Sequence, residues 1–422
     1  MLRWGCFFDP DSDPDLDLDE EALRPMGNSG QSGPAATDKR IRRHVTGRVR
    51  DYFVITMPGG EAICRQELVA LGLDCPDGPS TPGGLSLKGR FVDCQRANLG
   101  LRTATRILMR IDTFTATNPR QLSRKCAAIP WELFLPAGPL PEINVSCRRS
   151  RLYHTDVVAE SVREGLVGRL GPFSDSLPSG VPQSLLVRLA NDQVTLSLDS
   201  SGDPLYKRGL KVGPARAPLR ETLAAAILLA AGYDGLKPLV DPMCGSGTFS
   251  LEAAMMAKQM APGVQRSFAF MGWPAFQDAP WSYLKREAEA AVRHLAQPLI
   301  FASDIDNGAC EGLANQITAN DLSDAVTVSP KDLFDCAADH YGGRPGLVAI
   351  NPPYGIRIGS ARDAEALFGR ICRHLQKAFS GWDVALIAPE RKYLKTIPFP
   401  VQKVALMHGG LNVTLCLGKI KT

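Results

Sequence analysis

The chain has 422 residues, 44% hydrophobic and 22% charged, a globular profile too long for one compact domain. No apolar run reaches the roughly 18–20 residues of a membrane span, and the N-terminus has no apolar signal-peptide core; eleven cysteines stand singly, without a C-x-x-C pair. A membrane protein, a zinc ribbon and a disulfide framework are therefore disfavoured, and a cytoplasmic protein is expected.

The net charge of +4 is uneven. Residues 1–21 hold eight acids against Arg3, which leaves 47 Lys+Arg against 36 Asp+Glu, or +11, in the other 401 residues. A basic body suits a polyanionic partner. Residues 1–50 read as a disordered leader, rich in Asp, Pro, Gly and Ser. Asp9, Asp11, Asp13 and Glu20 have the spacing of a calcium loop, but Pro14 stands where its glycine is needed, so no calcium site is expected. The basic stretch Lys39–His44, with Arg48 and Arg50, suits either RNA phosphates or a solvated linker.

Structure is expected to begin with a strand at Tyr52–Thr56 and a helix at Glu61–Leu71. Further strands are expected at Leu85–Leu87, Ile107–Phe114, Ile143–Cys147, Ser184–Leu189 and Val194–Leu198, and helices at Phe91–Arg102, Pro119–Ala127 and Thr155–Arg169. Without a strict βαβ rhythm, these predict small α+β modules. Arg102, Arg106 and Arg110 are spaced by four, and Arg148, Arg149 and Arg151 cluster after a strand. They are candidate contacts to an RNA backbone, with solvated surface as the alternative.

From Leu219 the pattern changes to alternating apolar strands and amphipathic helices. Leu223–Ala231 reads as a buried helix. Strands are expected at Pro238–Asp241, Leu299–Asp304, Val326–Ser329, Leu347–Asn351 and Val384–Ala388, with helices at Phe249–Gln259, Gly308–Asn320 and Ala364–Phe379. That rhythm predicts an α/β, doubly wound sheet binding its ligand at the carboxyl ends of the strands.

Four segments carry candidate chemistry. The first is Asp241-Pro-Met-Cys-Gly245-Ser246-Gly247-Thr248, between a strand and a helix, where glycines admit a ligand close to the backbone. It lacks the Gly-Lys-Ser/Thr ending of a phosphate loop, and Ser250 replaces the third glycine of a dinucleotide fold, so a ligand with an amino-acid moiety, such as S-adenosylmethionine, fits better. The second is Asp304, at the tip of the next strand, suited to both ribose hydroxyls. The third is Asp332, suited to an adenine amine or to capping a helix. The fourth is Asn351-Pro352-Pro353-Tyr354, where consecutive prolines force the chain out of regular structure. Asn351 and the Pro352 carbonyl are then two acceptors able to grip an exocyclic amine, and Tyr354 is a stacking face for a base. Cys244 is read as packing beneath the cofactor rather than as a nucleophile. None of the six histidines pairs at ligand spacing, so no metal is expected.

The segment Asp241–Ala254 and the Asn351–Gly355 motif resemble those of the bacterial large-subunit rRNA guanine-N2 methyltransferases that carry a THUMP domain. Tyr206–Gly209, Ala217–Ala224 and Ala97–Arg106 are similar to further segments of that family, and the likeness spans about residues 52–420. The resemblance implies a ferredoxin-like part at 51–95, a THUMP RNA-binding domain at 96–200 and a class I, Rossmann-like methyltransferase domain at 201–422. It assigns Asp241, Gly245, Ser246, Gly247 and Thr248 to S-adenosylmethionine, Asp304 to its ribose and Asp332 to its adenine. Asn351, Pro352, Pro353 and Tyr354 would hold the guanine. The implied partner is structured RNA, with rRNA the first expectation and tRNA the alternative. Some members carry a second methyltransferase domain that is absent before Thr422, so a single activity is expected. DNA adenine methylation, which also uses Asn-Pro-Pro-Tyr, and a non-catalytic RNA-binding assembly factor are the other readings.

Overall fold

A computed structural model describes residues 34–76, 82–174, 181–210, 219–353, 361–408 and 411–421. Two sheets organise them. The first has the order β2-β1-β3-β6-β5-β4, built from β1 (Arg50–Thr56), β2 (Gly84–Gly89), β3 (Ala104–Thr115), β4 (Glu142–Arg148), β5 (Ser184–Ala190) and β6 (Gln193–Asp199). Side chains alternate across it. Tyr52, Val54, Ile107, Met109, Leu185 and Val187 point to one side, where they pack with α2 (Glu61–Ala70), α3 (Phe91–Gly100), α4 (Pro119–Ala128) and α5 (Thr155–Leu170) in one core. Phe53, Ile55, Leu108 and Leu186 point to the other side, outside that core.

Two expectations need correction here. A boundary at 95/96 falls inside α3, and β3 pairs with β1 on one edge and β6 on the other, so 51–95 and 96–200 share one sheet. The leader also does not extend to residue 50. Helix α1 (Pro34–Ile41) runs into wider π turns at Arg42–Thr46, burying Ile41 and Val45 in the core, and Arg40 pairs with Glu132 at 3.1 Å. Ile41 and Val45 lie four apart on one helical face, a signal hidden by the surrounding arginines. The acidic stretch and its calcium-like spacing lie outside the described residues.

The second sheet has the order β12-β13-β11-β10-β7-β8-β9. Its parallel strands are β7 (Leu239–Asp241), β8 (Ile300–Asp304), β9 (Val326–Pro330), β10 (Leu347–Ile350) and β11 (Asp383–Ala388). Leu239, Leu347, Ala349, Ala385 and Ile387 face α6 (Glu221–Ala230), α7 (Thr248–Ala257) and α9 (Asn307–Ala319). Val240, Val348, Ile350, Val384 and Leu386 face α10 (Ala361–Ala378). This double winding is as expected. A hairpin of β12 (Val401–His408) and β13 (Leu411–Lys419), antiparallel to β11, extends the edge beyond the last expected strand.

The two halves are not independent. Between α7 and β8 the chain leaves the second sheet and adds Phe268, Phe270, Trp273 and Trp281 to the first core, together with α8 (Asp278–Ala290). The Phe91 ring meets Phe270 and Trp273 at centroid distances of 6.0 and 5.7 Å. A break at residue 201 therefore separates the sheets but not the cores.

Candidate active site

Chain order places the site. From β7 the sheet grows one way through β8 and β9, then restarts on the other side of β7 with β10 and β11. The switch point lies between β7 and β10, where the turns after neighbouring strands diverge and leave a crevice. The register aligns Asp241 with Ala302, and Val240 with Val348. Asp304 and Asn351 thus both extend two residues beyond Asp241, about 7 Å along the strand direction, on strands about 10 Å apart with the β7 turn between them.

That turn is set by its glycines. Gly245 (φ +50°) and Gly247 (φ +77°) adopt left-handed backbone, and they do different work. A Cβ on Gly247 would lie 2.2 Å from Leu313 Cδ1, so this glycine lets α7 and α9 close together. A Cβ on Gly245 would meet nothing within 4 Å, so open space lies in front of this backbone. Asp241 is buried behind the turn and accepts a 2.7 Å bond from Ser250 Oγ. Burial raises its pKa to about 7, against the opposing Ser250 bonds. The bond to Ser250 ties the end of β7 to the first turn of α7. Cys244 is also buried, and burial with the Asp241 and Asp304 charges pushes its thiol far above the usual range, as a packing role requires.

Asp304 reaches over the turn. Its Oδ2 accepts from the Gly245 amide at 2.9 Å and its Oδ1 from the Asp306 amide at 3.0 Å. Each carboxylate oxygen retains a further lone pair for a hydroxyl. Asp306 caps α9 through the Gly308 amide at 2.9 Å. Between the two acids Ile305 is 76% exposed, an apolar face beside the carboxylate that the sequence reading missed. Asp332 caps the short helix Leu333–Asp335 through the Phe334 amide at 3.1 Å, leaving one oxygen uncommitted to the cap. Pro352 is buried and Pro353 half-buried at the end of β10. The Asn351 Oδ1 is buried without a hydrogen-bond partner among the described residues. Such an acceptor costs about 1–3 kcal/mol unless something outside the free chain satisfies it. Tyr354 lies outside the described residues.

Residues 208–415 match the model of the RMKL-like methyltransferase domain, and residues 51–108 that of the RlmL ferredoxin-like domain. The Bacillus subtilis protein named "Putative RNA methyltransferase YpsC" is 31% identical over 81% of this chain and 88% of its own length. The chain belongs to the RMKL-like methyltransferase family. The Ribosomal RNA large subunit methyltransferase K/L of Syntrophotalea carbinolica is 34% identical over 85% of the chain. The chain spans about half the length of that relative, 52%. Among solved structures, the protein described as "SMU.472, a putative methyltransferase complexed with SAH" superposes with a TM-score of 0.79 at 27% identity, over 89% of this chain and 99% of its own.

The candidate RNA-contacting arginines divide into two groups. Arg102 is buried between the halves: it donates to the Met260 carbonyl at 2.6 Å and lies 3.9 Å from Glu252, so it is an internal strut and not an RNA contact. Arg106 is bound to the buried Asp199 and to the Gly202 carbonyl, which likewise commits its guanidinium. Arg148, Arg149 and Arg151 are exposed, Arg151 lying 3.2 Å from Asp192. Beside them Tyr153, 66% exposed, packs at a tilt of 39° against His154, ring centroids 4.0 Å apart, an aromatic pair absent from the sequence reading. In the sequence Arg208 stands out only as part of the resembling segment Tyr206–Gly209. It holds Glu252 of α7 at 2.8 Å in the domain joint and donates to the Arg102 carbonyl at 2.7 Å.

Proposed function

We propose that this chain transfers the methyl group of S-adenosylmethionine to the exocyclic N2 amine of a guanine in large-subunit rRNA. The observation that carries this reading is the buried Asn351 Oδ1, without a partner among the described residues, at the switch point across the glycine turn from Asp304. The cofactor fits the residues present. The open space before Gly245 admits an amino-acid moiety against the backbone, Asp304 retains acceptor capacity for a ribose, and Ile305 is an apolar face for an adenine. When bound, the cofactor supplies an electrophilic methyl on a sulfonium that carries its own leaving group.

The protein's part is to position the amine. Asn351 Oδ1 and the Pro352 carbonyl accept its two hydrogens, which draws the nitrogen lone pair out of the ring and toward the methyl carbon. The bound cofactor would supply the methyl and keep the electrons of its S–C bond on sulfur, and the methylated amine would release its surplus proton to water. Fixing the two reactants in line is the main source of rate. Asp332 remains the proposed partner of the adenine amine, through the oxygen its cap leaves over. Pro353 and Tyr354 are proposed to close the guanine pocket, and Arg148, Arg149 and Arg151 to contact the RNA.

The test is transfer from labelled S-adenosylmethionine to protein-free rRNA and to tRNA, with nucleoside analysis of the product. N2-methylguanosine in rRNA is expected. The same nucleoside confined to tRNA would move the substrate and keep the chemistry; N6-methyladenine would overturn the guanine assignment.

A further inference from the structure

Among the described residues, the first sheet leaves one face without a helical layer. Along it, Phe53 and Ile55 of β1, Leu108 of β3 and Leu186 of β5 form an apolar floor that belongs to no core cluster. Two hollows of about 1000 and 230 Å³ lie over this floor, and they share Ile55, Asn144 and Leu186 as walls. From β1 to β4 the face crosses four strand spacings, about 19 Å.

Most of its charges without an opposite partner among the described residues are cationic. Arg110 lies over the Phe53 ring at 4.6 Å and donates to Ser197 Oγ at 2.8 Å. Arg188 stands exposed on β5 opposite Ser146, and Arg148 continues the row Asn144, Ser146 on β4. None of these three guanidinium groups is in an ion pair with a carboxylate among the described residues. The Arg110 pKa is lowered by burial and by the neighbouring Arg188 charge, with Asp51 opposing them. The acids on this face are Asp199, bound to Arg106, Glu142, at the end of β4, and Asp51, which Lys88 faces across the β1–β2 ladder, while Asp203, at the rim of the larger hollow, pairs with Lys207 at 2.9 Å. The larger hollow continues past Asp203 and Ser267, and both residues also line a third cavity of about 640 Å³ that reaches Ser246 and Thr248 of the glycine turn. In that cavity Arg220 lies over the Tyr206 ring at 5.2 Å, a second arginine–aromatic platform.

We propose that the open face of the six-stranded sheet, with its floor of Phe53, Ile55 and Leu186 and its cations Arg110, Arg148 and Arg188, binds a single-stranded stretch of the substrate RNA and leads it past Asp203 and Ser267 toward the glycine turn. An apolar floor flanked by guanidinium groups matches bases that stack inward and phosphates that face the rims. A duplex offers phosphates but keeps its base faces stacked within itself, so it would leave the floor uncovered. The inference rests on the proposed RNA substrate and adds the surface and the strandedness.

The test uses the full chain and a labelled single-stranded oligoribonucleotide, with its duplex as competitor, in binding titrations over a range of KCl. Wild type is expected to prefer the single strand. The double variant Arg148→Gln/Arg188→Gln is expected to bind at least tenfold more weakly, with a salt slope smaller by about 1.4, two phosphate contacts at about 0.7 each. Phe53→Leu, which keeps the apolar floor without the flat ring, is expected to weaken binding about tenfold and leave the slope unchanged. Arg163→Gln, on the helical layer, is the control. Unchanged affinity and slope in the double variant, or a wild-type preference for duplex, overturns the proposal. If those results come with rRNA methylation by wild type, the trough is wrong and the proposed function stands. Should the variants lose binding as expected while wild type methylates no RNA, the surface stands and the proposed function falls.

Discussion

Asn351 shows how an apparent defect becomes informative at the scale of one side chain. An amide oxygen buried without a partner is unfavourable in the free protein and useful only with a donor brought from outside. Asn351→Ala is therefore expected to lower methyl transfer by about 10²–10³-fold, the usual loss for one positioned polar group. Its melting temperature should fall no lower than wild type, and its affinity for the demethylated cofactor should hold. A variant that loses cofactor affinity and stability together would make Asn351 structural. Asp241 gives a second prediction. Its raised pKa means that the folded state holds a proton that the unfolded carboxylate releases near its ordinary value of 3.8. Its contribution is thus most favourable at low pH and is lost as pH rises from about 3.8 to about 7, with a slope of at most about 1.4 kcal/mol per pH unit. Asp241→Asn should flatten thermal stability against pH across that window, and an unchanged profile would mean that Asp241 is ionised in the fold.

At the scale of elements, the strand–turn–helix unit β7–α7 has little freedom. Gly247 combines left-handed backbone with a neighbour that a Cβ would overlap. Gly247→Ala should cost about 1–3 kcal/mol by denaturant titration and weaken cofactor affinity as α9 is pushed away. Gly245 differs, because the space before it is open. A Gly245→Ala variant that loses cofactor binding but little stability would separate the two glycines by role.

The whole molecule is held by a joint that neither half contains alone. Glu252, almost fully buried on α7, receives Arg208 at 2.8 and 3.3 Å and lies 3.9 Å from Arg102, while Arg102 also donates to the carbonyl of Met260. This fastens the first sheet to the helix that follows the glycine turn. Breaking a buried pair from one side leaves the other charge stranded, so Glu252→Gln is expected to cost about 3–5 kcal/mol. Separate melting of the two halves in that variant, where wild type melts once, is the calorimetric signature to seek. The N-terminal helix contributes at the same scale. A chain starting at residue 48 should melt below one starting at residue 34, because burial of Ile41 and Val45, about 1.5–3 kcal/mol each, is lost. Equal melting points would show that α1 contributes nothing to the fold.

Local sequence determined every element whose signal is local. The period-two and period-3.6 patterns placed β1 to β11 and the helices α2 to α7, α9 and α10 within a few residues, though not α8, and the order of Asp241, Asp304, Asp332 and Asn351 along successive strands already implied one crevice. The alternation of Val413, Leu415 and Leu417 would have revealed β13 by the same rule. Tertiary structure alone decided which side of each residue faces what. Arg102 and Arg110 look alike in the chain, yet one is a buried strut and the other stands on an open sheet face, because burial depends on a partner far away in sequence. Phe268, Phe270, Trp273 and Trp281 lie within the methyltransferase segment but pack into the core of the other sheet, and no periodicity reports the distant surface that an apolar stripe will meet.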